Sequence, residues 1–278
     1  MVLSIGELVL DVTIVPEGSL KLDDDGPASI TISGGGQAAN FCAWAAALGE
    51  RARLVTKLGD DPTGHRLVAD IEAGGVEVCP VWGSEPTGAI AVLVGPNGQR
   101  TMATQRGASV GLTAADLREE WFAGVRLIHV PAYSLFLNPL AEAARAAVER
   151  VRAAGGIVSI DLSSAAGVID YGAVRLADQL AKLHPELLFA NAAEAGALAV
   201  PLEALAKVPV LKMGAAGCRV FGRRIPAPVV SEVDATGAGD AFAAAFCVSY
   251  LDGATPIEAA GRAVLVASGS VTRAGARP

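Results

Sequence analysis

Apolar positions along the chain follow two rhythms. Over 2–15 they alternate and cluster as in a buried strand, broken at Gly6 and again at Asp11. Residues 16–27 are polar and turn-rich, with Asp23-Asp24-Asp25-Gly26, and predict a surface excursion. A short strand over 28–33, a helix running through Leu48, a strand over 53–58, a helix with Pro62 near its first turn and a strand over 76–82 follow. Residues 88–94 and 100–105 flank Gly95-Pro96-Asn97-Gly98, a strong hairpin signal. From 126 onward the pattern is regular: strands over 126–130, 157–161, 187–190 and 208–213 alternate with helices over 139–154 and 171–183 and a short helix after 190. Helices over 241–250 and 256–273 end it. Strands alternating with amphipathic helices predict an α/β fold, a parallel sheet with helices on both faces. Ligands then sit at the carboxyl ends of the strands, where Asp161, Asn191 and Lys212 all fall.

The hairpin arms alternate small and apolar residues, as a sheet covered on one face does. With the strands near Val12 and Ile30 they make either a small separate sheet over the site or an edge hairpin of the main sheet. At 278 residues and 52% hydrophobic, the chain can bury one large core, with or without a small attachment. No run of about 18 uninterrupted apolar residues is present, and the N-terminus opens as a strand without a basic leader, so neither a membrane span nor a targeting segment is expected. Four cysteines (Cys42, Cys79, Cys218, Cys247) lie in apolar runs without metal-type pairing, which predicts reduced core thiols and a cytoplasmic protein. The net charge of −7 argues against nucleic acid as the main partner.

The candidate chemistry centres on Val233-Asp234-Ala235-Thr236-Gly237-Ala238-Gly239-Asp240. Glycines before a helix let a ligand approach bare backbone, and first-turn N–H groups have no intrahelical partner, so such an end favours phosphate. Asp240 in that first turn places a carboxylate beside an anion cradle, as phosphoryl transfer requires. As a purely structural element, the same aspartate is a helix-dipole partner worth about 0.3–1 kcal/mol. Asp11 interrupts an apolar run and must meet solvent, a partner or a ligand. Gly34-x-Gly36-x-x-Ala39 passes loosely for a dinucleotide fingerprint, with Asp60 or Asp61 as the ribose acid. The strand before it alternates polar and apolar residues like an exposed strand, however, and a first dinucleotide-fold strand is buried and central. Asn191 with Glu194 has the outline of a helix capping box. No Walker A loop and no Gly-x-Ser-x-Gly elbow is present, and His65, His129 and His184 lack ligand spacing. His129, at a strand end, is the one placed to line a pocket.

Asp234-Ala-Thr-Gly-Ala-Gly-Asp240 resembles the C-terminal signature of the ribokinase-like (PfkB) carbohydrate kinases, and Gly35, Gly36 and Asn40 resemble that family's Gly-Gly-x-x-x-Asn signature. Gly59-Asp60-Asp61-x-x-Gly64 and the ending Val271–Ala276 are similar to it as well, so the resemblance spans nearly the whole chain. It implies a single domain over 1–278, a three-layer ribokinase-like sandwich with a mostly parallel central sheet, and a small β lid from about 11–33 and 85–106 that is a dimer interface in some members. It further implies an ATP-dependent, Mg²⁺-requiring kinase of a small sugar or polyol. Asp240 is then the base, and Gly237, Ala238 and Gly239 form the anion hole. Asp11, Gly35, Gly36 and Asn40 bind substrate hydroxyls, with Arg106 following a lid strand toward them. Asn191, Lys212, Gly214 and Gly217 fall on the nucleotide side; Asn191 and Glu194 hold Mg²⁺ through water, and Asp234 flanks a monovalent cation, K⁺ in ribokinase. A nucleoside kinase of the same family and a catalytically silent sugar-binding homologue are the alternatives.

A neutral substrate is expected. Two pocket residues, Asp11 and Asp240, are carboxylates, and Gln37 stands where several phosphosugar kinases carry lysine. Relatives that handle acids carry Asp-x-Asn-x-x-Arg where this chain has Asp161-Leu-Ser-Ser164, with no arginine until Arg175. Arg100, Arg106 and Lys57 are the cations that oppose this reading if they turn inward.

Overall fold

The computed structural model describes residues 1–19, 23–95 and 99–278. Leu20–Leu22 of the polar excursion and the hairpin tip Pro96–Gly98 lie outside the described residues. Among the described residues, thirteen strands form two sheets: β1 (Val2–Ile5), β2 (Val9–Pro16), β3 (Ala28–Gly35), β4 (Ala52–Gly59), β5 (Val76–Gly83), β6 (Thr87–Val94), β7 (Arg100–Gly107), β8 (Leu127–Pro131), β9 (Ile157–Asp161), β10 (Leu187–Asn191), β11 (Val208–Lys212), β12 (Cys218–Val220) and β13 (Arg223–Ile225). Nine of them make one sheet in the order β13-β12-β11-β10-β9-β8-β1-β4-β5. Its pairs are parallel except β11–β12 and β12–β13.

The helices are α1 (Gln37–Ala47), α2 (Pro62–Ala73), α3 (Tyr133–Phe136), α4 (Leu140–Ala153), α5 (Ala165–Tyr171), α6 (Ala173–Leu183), α7 (Ala192–Leu198), α8 (Ala238–Leu251) and α9 (Pro256–Ser270). Strand alternation divides the core between the two faces of the sheet. Val2, Leu127 and Phe189 point to one side, among α1, α2, α8 and α9. Their neighbours Leu3, Ile128 and Leu188 point to the other, among α4 to α7. This is the expected three-layer arrangement. α8 is buried almost all round, from Asp240 to Ser249, because alanine leaves room for α1 and α9 to pack closely against it.

The remaining strands form a separate sheet in the order β3-β2-β6-β7, so the hairpin is not an edge of the main sheet. Registers Val12↔Ile32 and Ile14↔Ile30 put four branched side chains on one face of this sheet. Ile30 and Ile32 there are 60% and 57% exposed.

The structure departs from the sequence pattern in several places, among them the unexpected β12, β13 and α3. The strand over 2–15 is broken over 6–8 and not at Asp11, which lies inside β2 because the second half of the run belongs to the small sheet, where Asp11 pairs in register with Ser33. The helix expected over 171–183 is preceded by α5 and separated from it by Gly172 (φ 99°), and Ser164 caps the extra helix by accepting from the Gly167 N–H at 3.1 Å. α9 stops at Ser270, and the residues after it turn back toward the cleft. Among the described residues, no helix is long and apolar enough to cross a membrane. The four cysteines are buried and free.

Candidate active site

The cleft lies where the sequence pattern places it, at the carboxyl ends of β9, β10 and β11, between the first turns of α1 and α8. Gly237 caps α8 in the left-handed region (φ 73°), and a Cβ there would stand 2.4 Å from the carbonyl oxygen of Ala276. Only glycine fits both constraints. The first helical contact is the Ala238 N–H donating to Ala235 O at 3.3 Å, and the N–H groups of Gly239 and Asp240 have no acceptor among the described residues. They are free donors at the positive end of a fourteen-residue helix.

Asp240 faces this end from inside. Asn40 Nδ2–H donates to its Oδ2 at 2.9 Å. Burial pushes the Asp240 carboxyl up to about 7, with Asp161 adding to the shift and Asn40, Lys212 and Gln37 opposing it. A carboxylate that exchanges its proton near neutrality suits a general base. Lys212 Nζ lies 2.5 Å from Oδ2 of the fully buried Asp161. Burial works against the Lys212 charge, but Asp161, Glu194 and Asp240 outweigh it and hold the ammonium protonated above the usual lysine range. Its Nζ would be 3.4 Å from a Cβ on Gly239, so this cation is shared between three carboxylates and the glycine turn.

Asn191 and Glu194 form the capping box that their spacing predicts. The Asn191 N–H and Nδ2–H each donate to a Glu194 oxygen at 2.8 Å, and the Glu194 N–H donates back to Asn191 Oδ1 at 2.9 Å. Burial and Asp161 raise the Glu194 carboxyl above its ordinary range. Gly214 and Gly217 line an apolar slot of about 280 Å³ together with Val229, Val264 and Ala267.

On the other side of Asp240, Asp11 from β2 meets Gly35 from β3 so closely that a Cβ at Gly35 would fall 2.0 Å from Asp11 Oδ2. Burial raises the Asp11 carboxyl to about 6, against the pull of the Arg277 cation. Its Oδ1 is buried without a hydrogen-bond partner, which leaves an acceptor facing the cleft. Gly36 (φ 97°) turns the chain into α1 against the Glu7 carbonyl, and Asn40 follows one turn later.

Arg106 does turn inward, but it is paired with buried Glu7 and lies over the Tyr133 ring at 4.5 Å. Arg100 reaches from the small sheet to Asp234 and Thr236. Lys57 is held away by Gly111 O at 3.0 Å and by Asp116. Arg277 is the residue that sequence reasoning missed: its guanidinium stands between Gly35 and Asn40. A lone arginine in a Gly/Ala/Pro stretch gives no signal of this. His129 is not a pocket wall. It is fully buried, stacks on Phe41 at 4.0 Å and pairs through Nδ1 with Ser159 Oγ at 2.9 Å.

Asp234, expected beside a monovalent cation, already meets the Arg100 guanidinium. Oδ1 accepts from the Thr236 N–H at 2.8 Å, from the Thr236 hydroxyl and from Arg100, and Oδ2 accepts from the Gly275 N–H at 3.0 Å. A guanidinium already supplies the positive charge there.

The model of the pfkB family of carbohydrate kinases matches residues 1–278. Fructokinase-2 of Oryza sativa subsp. japonica is 28% identical over 273 residues, covering 90% of this chain and 79% of that protein. The structure of an adenosine kinase from Sinorhizobium meliloti superposes with a TM-score of 0.87 at 28% identity, over 100% of this chain and 95% of that one. A "putative Ribokinase II" from E. coli, solved in complex with ATP and Mg²⁺, gives 0.86 at 25% identity over 99% and 94% of the two chains. With a ribokinase-like fold and a family match from end to end, this chain belongs to the pfkB family of carbohydrate kinases.

Proposed function

We propose that the protein transfers the γ-phosphoryl group of ATP to a hydroxyl of a small neutral sugar or polyol. The observation that carries this reading is the pairing of Asp240 with the free N–H groups of the Gly237–Gly239 turn: a base and an anion hole on one helix end. The acceptor hydroxyl lies between Asp11 and Asp240 and gives its proton to Asp240 as its oxygen attacks the γ-phosphorus. The N–H groups and Lys212 stabilise the charge on the transferring group. Gly214 and Gly217 border the slot for the flat base of the nucleotide.

Mg²⁺ fits the donors present. Glu194 and the Asn191 amide offer oxygens; among the described residues no three acidic, His or Cys side chains gather as a direct metal site, but this ion usually keeps its waters and binds through one or two carboxylates and the substrate phosphates. Asn191 and Glu194 would hold it through water, and when bound it would neutralise charge on the phosphates. Arg100 already offsets the charge of Asp234, so equal rates are expected in K⁺, Na⁺ and tetramethylammonium salts at matched ionic strength. A rise of tenfold or more in K⁺ alone would show that Arg100 vacates the carboxylate.

The neutral substrate rests on charge matching. Among the described residues, Arg106 pairs with Glu7, Arg100 with Asp234 and Lys212 with Asp161, and Arg277 lies near enough to Asp11 for the two charges to offset each other without a direct ion pair. None is left over to replace the lost hydration of an anionic substituent. Asp11→Ala is therefore expected to raise KM for the preferred sugar by roughly ten- to a hundredfold, since a hydrogen bond to a charged group is worth about 1.5–3 kcal/mol. An ADP-release screen over pentoses, hexoses, polyols, nucleosides and sugar phosphates tests both claims. A kcat/KM for fructose 6-phosphate or a sugar acid above that for every neutral compound would overturn the neutral reading.

The exposed lid face around Ile30 and Ile32 is the surface a second copy would cover if this chain pairs through its lid as some relatives do. Four free, buried cysteines suit a reducing, cytoplasmic setting.

A further inference from the structure

Residues 271–278 pass behind the Gly237 turn and bring Arg277 to the sugar side of the cleft. The backbone beside Arg277 is held before its side chain makes any contact. Trp44 Nε1–H donates to Ala276 O at 2.9 Å, and the Gly275 N–H donates to Asp234 at 3.0 Å. The Arg277 Nε–H then donates to Asn40 Oδ1 at 3.1 Å, and an Nη2–H donates to Gly35 O at 2.9 Å. At its other end the same Asn40 amide donates to Asp240.

An amide has one donor end and one acceptor end, a guanidinium only donates, and an ionised carboxylate only accepts. Asn40 stands between the two, so a single orientation satisfies both neighbours. The flipped amide would turn its oxygen on the carboxylate and its NH₂ on the guanidinium. We propose that Arg277 is a positioning residue for phosphoryl transfer, fixing the Asn40 amide so that its NH₂ holds the Asp240 carboxylate aligned and ionised for the acceptor hydroxyl. The proposal rests on the assignment of Asp240 as base. The polar and charged groups facing Asp240 are Asn40 and Gln37 from α1, Asp161 from β9, Lys212 from β11, and Arg277. Arg277 itself also faces Asp11.

The test reads Asp240 directly. Carboxyl ¹³C NMR of the full chain follows its titration, with the resonance assigned by its loss in Asp240→Asn. In Arg277→Met the midpoint is expected to rise by roughly one unit, because a donor to the ionised form is loosened and a nearby cation is lost. Arg277→Lys, which keeps a donor and the charge, is expected to recover part of that shift. In an Asn40→Ala background, Arg277→Met is expected to move the midpoint by much less, since the coupling between the two is gone. In ADP release with D-fructose, D-ribose and adenosine, the kcat of Arg277→Met should fall more than KM for ATP rises, on whichever compound is turned over. An unchanged Asp240 midpoint in Arg277→Met, or an equal shift with and without Asn40, overturns the proposal. A fully active Asp240→Asn would instead remove the base assignment, whatever Arg277 does.

Discussion

Replacing Asp240 with asparagine is expected to lower kcat by about 10²–10⁴, the range for losing a general base, while ATP affinity and fold are retained. The substitution is close to isosteric. The amide oxygen still accepts from Asn40, and the Gly237 turn keeps its conformation because the Asp240 side chain bonds to Asn40 and Gln37 rather than to the turn. What is lost is a group able to take the proton of the attacking hydroxyl. In the wild type, kcat/KM is expected to fall below about pH 7 as Asp240 protonates, and that acid limb should be missing from the residual activity of the variant. Stability runs the other way. The folded-state value of about 7 lies above the ordinary 3.8, so between those limits the folded chain holds a proton that the unfolded chain has released. The contribution of Asp240 is therefore full below the lower limit and lost as pH rises through the upper one. Above pH 7, Asp240→Asn should unfold at higher denaturant than the wild type. A kcat loss below tenfold on the true substrate would defeat the assignment.

Lys212→Met is expected to cost both folding stability and rate. Its ammonium compensates Asp161, which is fully buried, and stands near Glu194 and Asp240. Removing one partner of a buried pair leaves an uncompensated charge, at a cost of about 3–5 kcal/mol. Without the cation, Asp240 sits among carboxylates, so its proton is held more tightly and the acid limb moves to higher pH. The anion hole also loses the charge beside Gly239, and a loss of about 10²–10³ in kcat is expected, comparable to removing one preorganised donor. Pairing it with Asp161→Asn should restore most of the stability and little of the activity. Equilibrium unfolding in urea separates the two effects. A change under about 1 kcal/mol in Lys212→Met would mean that water reaches the pair and that its burial has been overestimated.

What the sequence made legible follows the range of the interactions. Gly237 and Asp240 declare themselves because a glycine turn and the helix it starts are adjacent in the chain. Asp161, Asn191 and Lys212 could be placed together because strand ends in a parallel sheet converge, whatever the connections between them. Asp11 was misread as a break in a strand: period-2 alternation does not say which of two sheets a strand joins, and its partner Ser33 is assigned only by pairing. Arg106 was read as inward, but its partner Glu7 is hidden in Gly6-Glu7-Leu8, where the apolar neighbours attract the attention. Arg277 touches Asn40 across 237 residues of chain, a contact that no periodicity announces. His129 looked like a pocket residue because it ends a strand run, yet the pleat turns it into the core onto Phe41.

The small sheet is joined to the body at both ends of its first hairpin. β2 leaves the main sheet through Gly6–Leu8, and β3 runs directly into the first turn of α1 at Gly36. Asp11 and Gly35 belong to that sheet, whereas Asn40 is five residues further on, in the body. No cut separates cover from pocket. A chimera that took its cover from a relative would import half of the proposed sugar contacts with it, and one that kept those residues would keep the cover. In this architecture a change of substrate and a change of closure are transmitted together, as one heritable segment.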